Sequence, residues 1–317
     1  VLIFIIIPSI TIKNNLYKKL VISNKTSLIL MLVFILIILL RLIIVSNGNI
    51  NSNFLEVYVF RQEFSDTQNS GIYGYFNGWI SKIFIPYLLI RGFYNSSVKL
   101  IFIAVLFSIL FFLFTGHKFI IFYLAATILL YYYFNNKINL ALISNVGIWL
   151  IVLIKNSFLG LGIVSFFIRR AFFLPALINF NYLDFFSHNE KLTYSHAFLK
   201  EFLINPYGEK PQLVIGDYMN LGGSWVNSGF IGTGFMNLGI LGVLFYIILL
   251  FLIVFIIFNN YKKSNNLTII IIFTLSLITI FTSADLMTSI LTNGVLLILL
   301  STLINEKKYS SSNNETR

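Results

Sequence analysis

Two arginines stand side by side in a stretch that is otherwise apolar. Arg169 and Arg170 lie at the centre of Gly160–Phe180, GLGIVSFFIRRAFFLPALINF. One guanidinium at mid-bilayer costs about 2.5–3.5 kcal/mol on insertion scales. Two adjacent ones nearly cancel the apolar gain, so this segment does not read as an ordinary membrane span. A planar guanidinium bonds two oxygens at once, which suits a phosphate or pyrophosphate. Two placements are open: an interfacial helix whose arginines snorkel to headgroups, or a segment that dips inward with its arginines facing a polar cavity. The chain continues with Asp184, His188, Glu190, His196, Glu201 and Glu209. An imidazole or carboxylate there can act as general base toward a hydroxyl, and solvated loop groups are the plain alternative. The spacing of His188 and His196 matches no metal pattern such as H-E-x-x-H. Thr115-Gly116-His117-Lys118 joins two apolar runs. At the mouth of a cavity His117 and Lys118 would bind an anion; otherwise they form a polar hairpin turn. Arg41, in the outer third of its apolar run, either snorkels or faces a cavity.

The elements that must position these groups are membrane helices. Of 317 residues, 58% are hydrophobic and 10% charged, against about 45–50% and about 25% in an ordinary soluble domain. Mean hydropathy is +0.88. This composition excludes a disordered chain, a coiled coil and a basic nucleic-acid module. The absence of cysteine excludes disulfides, thiolate zinc sites and thiol nucleophiles.

A span needs about 20 mainly apolar residues, and about nine fit: Val1–Ile12 (in part), Ser27–Val45, Gly78–Tyr94, Val98–Thr115, Phe119–Phe134, Ile138–Ile154, Gly229–Phe258, Leu267–Ala284 and Leu286–Ile304. Val1 falls inside an apolar run without a basic flank or cleavage site, so the first run reads as the end of a helix rather than a signal peptide. Lys82 and Arg91 sit near the ends of the third run, where long basic stems can snorkel. Lys13, Lys18, Lys19, Lys25, Arg91, Lys99, Lys137, Lys262, Lys263, Lys307 and Lys308 then all fall on one side, the cytoplasmic one. Residues 1–304 read as a single transmembrane domain with outer loops 46–77, containing Arg61, and 155–228. Residues 305–317 read as a polar cytoplasmic tail. The glycines of Gly222–Gly234 lack the third position and the preceding strand of a dinucleotide fingerprint. Close helix packing explains them better. Asp217 and Asn227 flank this entrance, and Asp285 caps a helix or lies at the outer surface.

The runs RRAFFLPALINFNYLDFFS, YSHAFL, NSGFIGTGFMNLGILGVLFY and LTNGVLLILL, in that order, resemble bacterial O-antigen polymerases of the Wzy type. The resemblance covers about Gly160–Leu300, with TGHK fitting more loosely. It implies a fold like that of the C-type membrane glycosyltransferases. It also implies a reaction at the outer face of the plasma (inner) membrane: undecaprenyl-pyrophosphate-linked oligosaccharide repeat units are joined into O-antigen, capsule or exopolysaccharide. Lipid pyrophosphate is the leaving group, and no cofactor, nucleotide sugar or metal is implied. Membrane lipids, a flippase and a chain-length regulator are the implied partners. Under this reading Arg169 and Arg170, assisted by Lys118 and Arg61, hold the pyrophosphate. His196, Asp184 and His117 are the candidates for removing the acceptor proton. An O-antigen ligase, with a distinctive histidine in the long loop, and a polysaccharide flippase or transporter are the alternatives.

Overall fold

The computed structural model describes residues 20–22, 24–51, 57–135, 139, 169, 173–196, 199, 201–264, 266–301 and 304–306. The expected run Val1–Ile12, nearly all of Ile138–Ile154, Arg170 and the end of the tail lie outside the described residues.

The regular structure of the described residues is helical apart from a three-residue parallel ladder, in which Leu20–Ile22 pairs with Ile304–Glu306. Three helices are long and apolar enough to cross a membrane: Lys25–Val45, Val98–Thr115 and Ile240–Lys262. Phe119–Phe134 and Leu267–Thr282 are shorter and equally apolar. Only 22%, 39% and 33% of the most apolar stretch of each long helix is buried within the chain. Leu30, Leu40 and Ile44 are 63%, 59% and 73% exposed. Apolar surface on that scale needs a partner more apolar than water. These helices mark a membrane protein with several passes.

The chain divides into two compact units. The first comprises Val1–Ala125, Ile256–Ile272 and Gly294–Arg317. It contains α1 (Asn24–Val45), α2 (Val57–Gln68) and α3 (Tyr73–Trp79). A π-helical turn (Ile80–Phe84) leads from α3 into α4 (Ile85–Tyr94), and α5 (Val98–Thr115) follows. The Ser97 hydroxyl starts α5 by accepting from Leu100 N at 3.4 Å. Arg41 has a structural task here. Its guanidinium donates to Gln68 O (2.9 Å), Thr67 O (3.0 Å) and Ser70 Oγ (3.1 Å), and lies 3.5 Å from the Tyr73 ring centroid. A cation on the last carbonyls of a helix satisfies orphan acceptors and meets the negative end of the dipole. Of the two readings, snorkelling or cavity, neither describes this contact.

The second unit comprises Ala126–Phe255 and Phe273–Asn293. Phe119–Phe134 (α6) runs into it, followed by α7 (Leu174–His188), α8 (Pro211–Tyr218), α9 (Phe230–Leu238) and the start of α10 (Ile240–Ser264). The end of α11 (Leu267–Thr282) and α12 (Leu286–Leu291) complete it. The run Gly229–Phe258, expected as one span, breaks at Gly239, whose φ is 63°. The expected close packing by small residues is present. A Cβ on Gly242 would collide with Gly234 O, and one on Gly229 with Phe281 O. Asn179 Oδ1 accepts from both Ser228 Oγ (2.8 Å) and Gly232 N (2.9 Å), tying α7 to the start of α9. The last expected span is likewise two short helices, α12 and α13 (Val295–Ser301), separated by Thr292–Gly294. In both places hydropathy is continuous while the backbone is not.

Candidate functional site

In the first unit, chemistry gathers at the end of α5. Two bonds dock the stretch from the end of α1 to the end of α2 there: Gln68 Nε2 donates to Phe114 O at 2.5 Å, and Asn51 N to Leu113 O at 2.7 Å. Gly116 closes α5 in the left-handed region at φ 65°, with its N–H on Phe112 O at 2.8 Å. A Cβ there would lie 3.1 Å from both Arg61 Cγ and Val57 Cγ1. Glycine therefore serves twice, by taking the positive φ and by leaving room for the Arg61 stem. His117 follows, 5.5 Å from the Phe119 ring, and Lys82 Nζ lies 5.2 Å over the same ring.

Arg61, Lys82 and His117 thus meet, although they come from three separate segments. Burial pulls the His117 pKa down to about 3, and the positive charges of Arg61 and Lys82 add to the effect. At neutral pH the imidazole is uncharged, and the arginine and lysine carry the charge. Preorganised cations beside a low-dielectric surface stabilise an anion far better than the same groups in water. Lys118 comes next in the chain, and its carbonyl accepts from Ile121 N at 3.2 Å and Phe122 N at 3.5 Å as α6 begins.

In the second unit, the centre is the segment Lys191–His196. Three bonds strap it to the end of α9: Leu192 N to Met236 O (3.0 Å), Thr193 N to Asn237 O (3.2 Å) and Tyr194 N to Asn237 Oδ1 (2.9 Å). Thr193 and Tyr194 have φ of 48° and 64°. Such backbone costs of order 1–3 kcal/mol per residue and persists only where the surroundings hold it. The Tyr194 ring lies 6.4 Å from that of Tyr246. The Tyr246 hydroxyl donates to Asp285 Oδ1 at 2.7 Å. Asp285 Oδ2 caps α12 by accepting from Thr288 N (2.9 Å) and Thr288 Oγ1 (2.6 Å). Burial lowers the His196 pKa, and the Asp285 charge opposes that fall. Burial raises the Tyr182 and Tyr194 phenols; a hydrogen bond with Tyr246 lowers that of Tyr194, and the Asp285 carboxylate raises both.

The other expected site residues lie elsewhere. Asp184 accepts from the Tyr218 hydroxyl at 2.5 Å on the exposed surface. His188 Nδ1 is 3.0 Å from Asp184 O and 3.0 Å from Ser187 Oγ, also exposed. Arg169 is exposed. It borders a surface groove of about 400 Å³ with Phe173, Leu174, Ala176, Leu177 and Phe180. Phe173 and Phe180 are 67% and 63% exposed. Over the described residues Phe173–Phe180 this face is apolar and exposed. Arg170 is outside the described residues. Among the described residues no group of three His, Asp or Glu side chains has metal-site geometry.

Sequence reasoning missed Lys82, Tyr246 and Asp285 as site members. Lys82 reads from the sequence only as a snorkelling group near the end of its run, although an ionisable group inside an apolar helix is itself a functional signal. Asp285 between two apolar runs carried the same signal. Comparison with known family models, curated proteins and solved structures found no match to this chain.

Proposed function

We propose that this protein is a membrane glycosyltransferase that joins oligosaccharide repeat units carried on undecaprenyl pyrophosphate, at the outer face of the bacterial plasma membrane. The observation that carries the reading is the meeting of Arg61, Lys82 and His117. The alternation of basic loops puts Arg61 and His117 on the outer side, and the two side chains do share one locality. In glycosyl transfer, the bond from the donor's anomeric carbon to the pyrophosphate oxygen breaks. A bond forms from that carbon to the acceptor hydroxyl, whose proton leaves. Charge builds on the pyrophosphate, and fixed cations lower that barrier. Arg61 and Lys82 supply them, and neutral His117 offers a ring N–H. Arg169 and Arg170 are proposed to guide the lipid headgroup at the interface.

The test is a glycan ladder from a strain lacking the protein. The strain is complemented with wild type or Arg61→Gln, and membrane abundance is matched. Wild type restores long chains, and the variant leaves mostly single repeat units. Wild-type ladders from Arg61→Gln would remove this residue from the site. A deletion strain that loses even single capped units would replace polymerisation with flipping or ligation. The ligase reading has one observation of its own: His196, in the long loop, feels the charge of the Asp285 carboxylate.

A further inference from the structure

Among the described residues, the turn Thr193–His196 leaves Ser195 Oγ and His196 Nδ1 buried without a hydrogen bond. Ser195 is 2% exposed, and its Oγ has no partner among the described residues. The Nδ1 of His196 is buried and equally unpartnered. Native structures satisfy nearly all such atoms, and an exception calls for a reason. Here two exceptions are adjacent. They follow two consecutive left-handed residues, neither of them glycine, and the backbone is strapped at three points. The chain is held in a strained form that presents two unmet hydrogen-bonding groups. Strain that persists in this way clusters at sites that bind something.

The chemistry of the surroundings narrows the ligand. The Asp285 carboxylate is the charge that acts on His196 and on the phenols of Tyr182 and Tyr194. A nearby carboxylate repels phosphate and other anions. A serine hydroxyl both donates and accepts, and an imidazole with its proton on Nε2 accepts at Nδ1. These groups suit a neutral ligand with hydroxyls on neighbouring carbons.

We propose that Ser195 Oγ and His196 Nδ1 bind adjacent hydroxyls of a saccharide. The preference for a saccharide over other neutral polyols rests on the glycosyl-transfer reading. The assignment of a hydroxyl site rests on the geometry alone. Ser195 is not itself a catalytic group here, because the proposal gives it no part in bond making.

The experiment uses the full chain in lipid nanodiscs. The probe is the single-repeat oligosaccharide released by mild acid from the lipid-linked pool of the strain that carries the protein. Binding is followed by saturation-transfer NMR, and the thermal midpoint is measured on each sample. Wild type binds saturably. Ser195→Ala binds about tenfold more weakly with a thermal midpoint equal to or above wild type, because the deleted hydroxyl had no partner to lose. His196→Leu also weakens binding, and His196→Asn, which restores a polar atom near Nδ1, recovers part of it. Wild type that shows no saturable binding overturns the proposal, as does Ser195→Ala that binds like wild type. The glycan ladder separates the two claims. If Ser195→Ala binds like wild type while the deletion strain loses long chains, the site is wrong and glycosyl transfer stands. If wild type binds and Ser195→Ala does not, but deletion leaves the ladder intact, the site stands and glycosyl transfer falls.

Discussion

Two partly buried histidines of this protein sit in opposite electrostatic company. His117 lies among cations, with Arg61 and Lys82 adding to the fall that burial imposes on its pKa. His196 lies near an anion, and Asp285 works against the fall that burial imposes. The contrast separates two kinds of site. A neutral imidazole between fixed cations adds a donor without adding charge, which suits a polyphosphate. An imidazole near a carboxylate keeps more of its basicity, which suits a hydroxyl ligand. Residue type alone does not tell these apart; the charge that the fold brings alongside does.

The most forceful way to break the comparison is at Asp285. Asp285→Ala removes the cap of α12 and leaves the Tyr246 hydroxyl without its acceptor. The cap is worth about 1 kcal/mol and the stranded hydroxyl about 1–3 kcal/mol. A loss of roughly 3 kcal/mol is expected, read by thermal unfolding in nanodiscs. Asp285→Asn keeps an acceptor oxygen at only one of the two contacts, the α12 cap or the Tyr246 hydroxyl, and should cost less than the alanine variant. It still removes the charge, so the His196 pKa should fall further in that variant.

A smaller effect comes from acid. The folded His117 resists protonation down to about pH 3, whereas an unfolded histidine takes its proton near 6.5. Between those values the unfolded state binds more protons, so stability is complete above about pH 6.5 and declines as pH falls. The expected slope from this residue is about 1.4 kcal/mol per pH unit. Arg61→Gln removes one of the cations, so the folded His117 protonates at higher pH and the decline ends sooner, with less stability lost in total. A slope unchanged in His117→Gln would show that other groups govern acid unfolding.

The finest test orders the two rings directly. Histidine-labelled protein, followed by NMR through a pH titration, should protonate His196 at higher pH than His117. Inorganic pyrophosphate should raise the His117 value, because an anion favours the imidazolium, and should leave His196 in place. The reverse order would end the contrast.

Much of the helical scaffold was legible in the chain because hydropathy is a local property. The stretches Ser27–Val45 and Val98–Thr115 emerge almost residue for residue as α1 and α5. That Arg61 and His117 share one locality was not legible, because they come from separate segments of the chain. The breaks at Gly239 and Thr292–Gly294 were not legible, since apolar residues continue on both sides and only the packing of Gly234 against Gly242 requires the first one. Arg41 shows the same limit. Its charge inside an apolar run was evident, but its partners Thr67, Gln68 and Ser70 became visible only in the fold.

Composition and periodicity by themselves determined that the chain is a helical membrane protein, because the cost of placing apolar or charged groups in lipid depends on the residue and its neighbours along the chain. Which histidine meets cations and which meets a carboxylate was decided only by tertiary structure. Coulomb interaction acts through space: Arg61, Lys82 and His117, or His196 and Asp285, influence one another only when folding brings distant segments within a few ångströms.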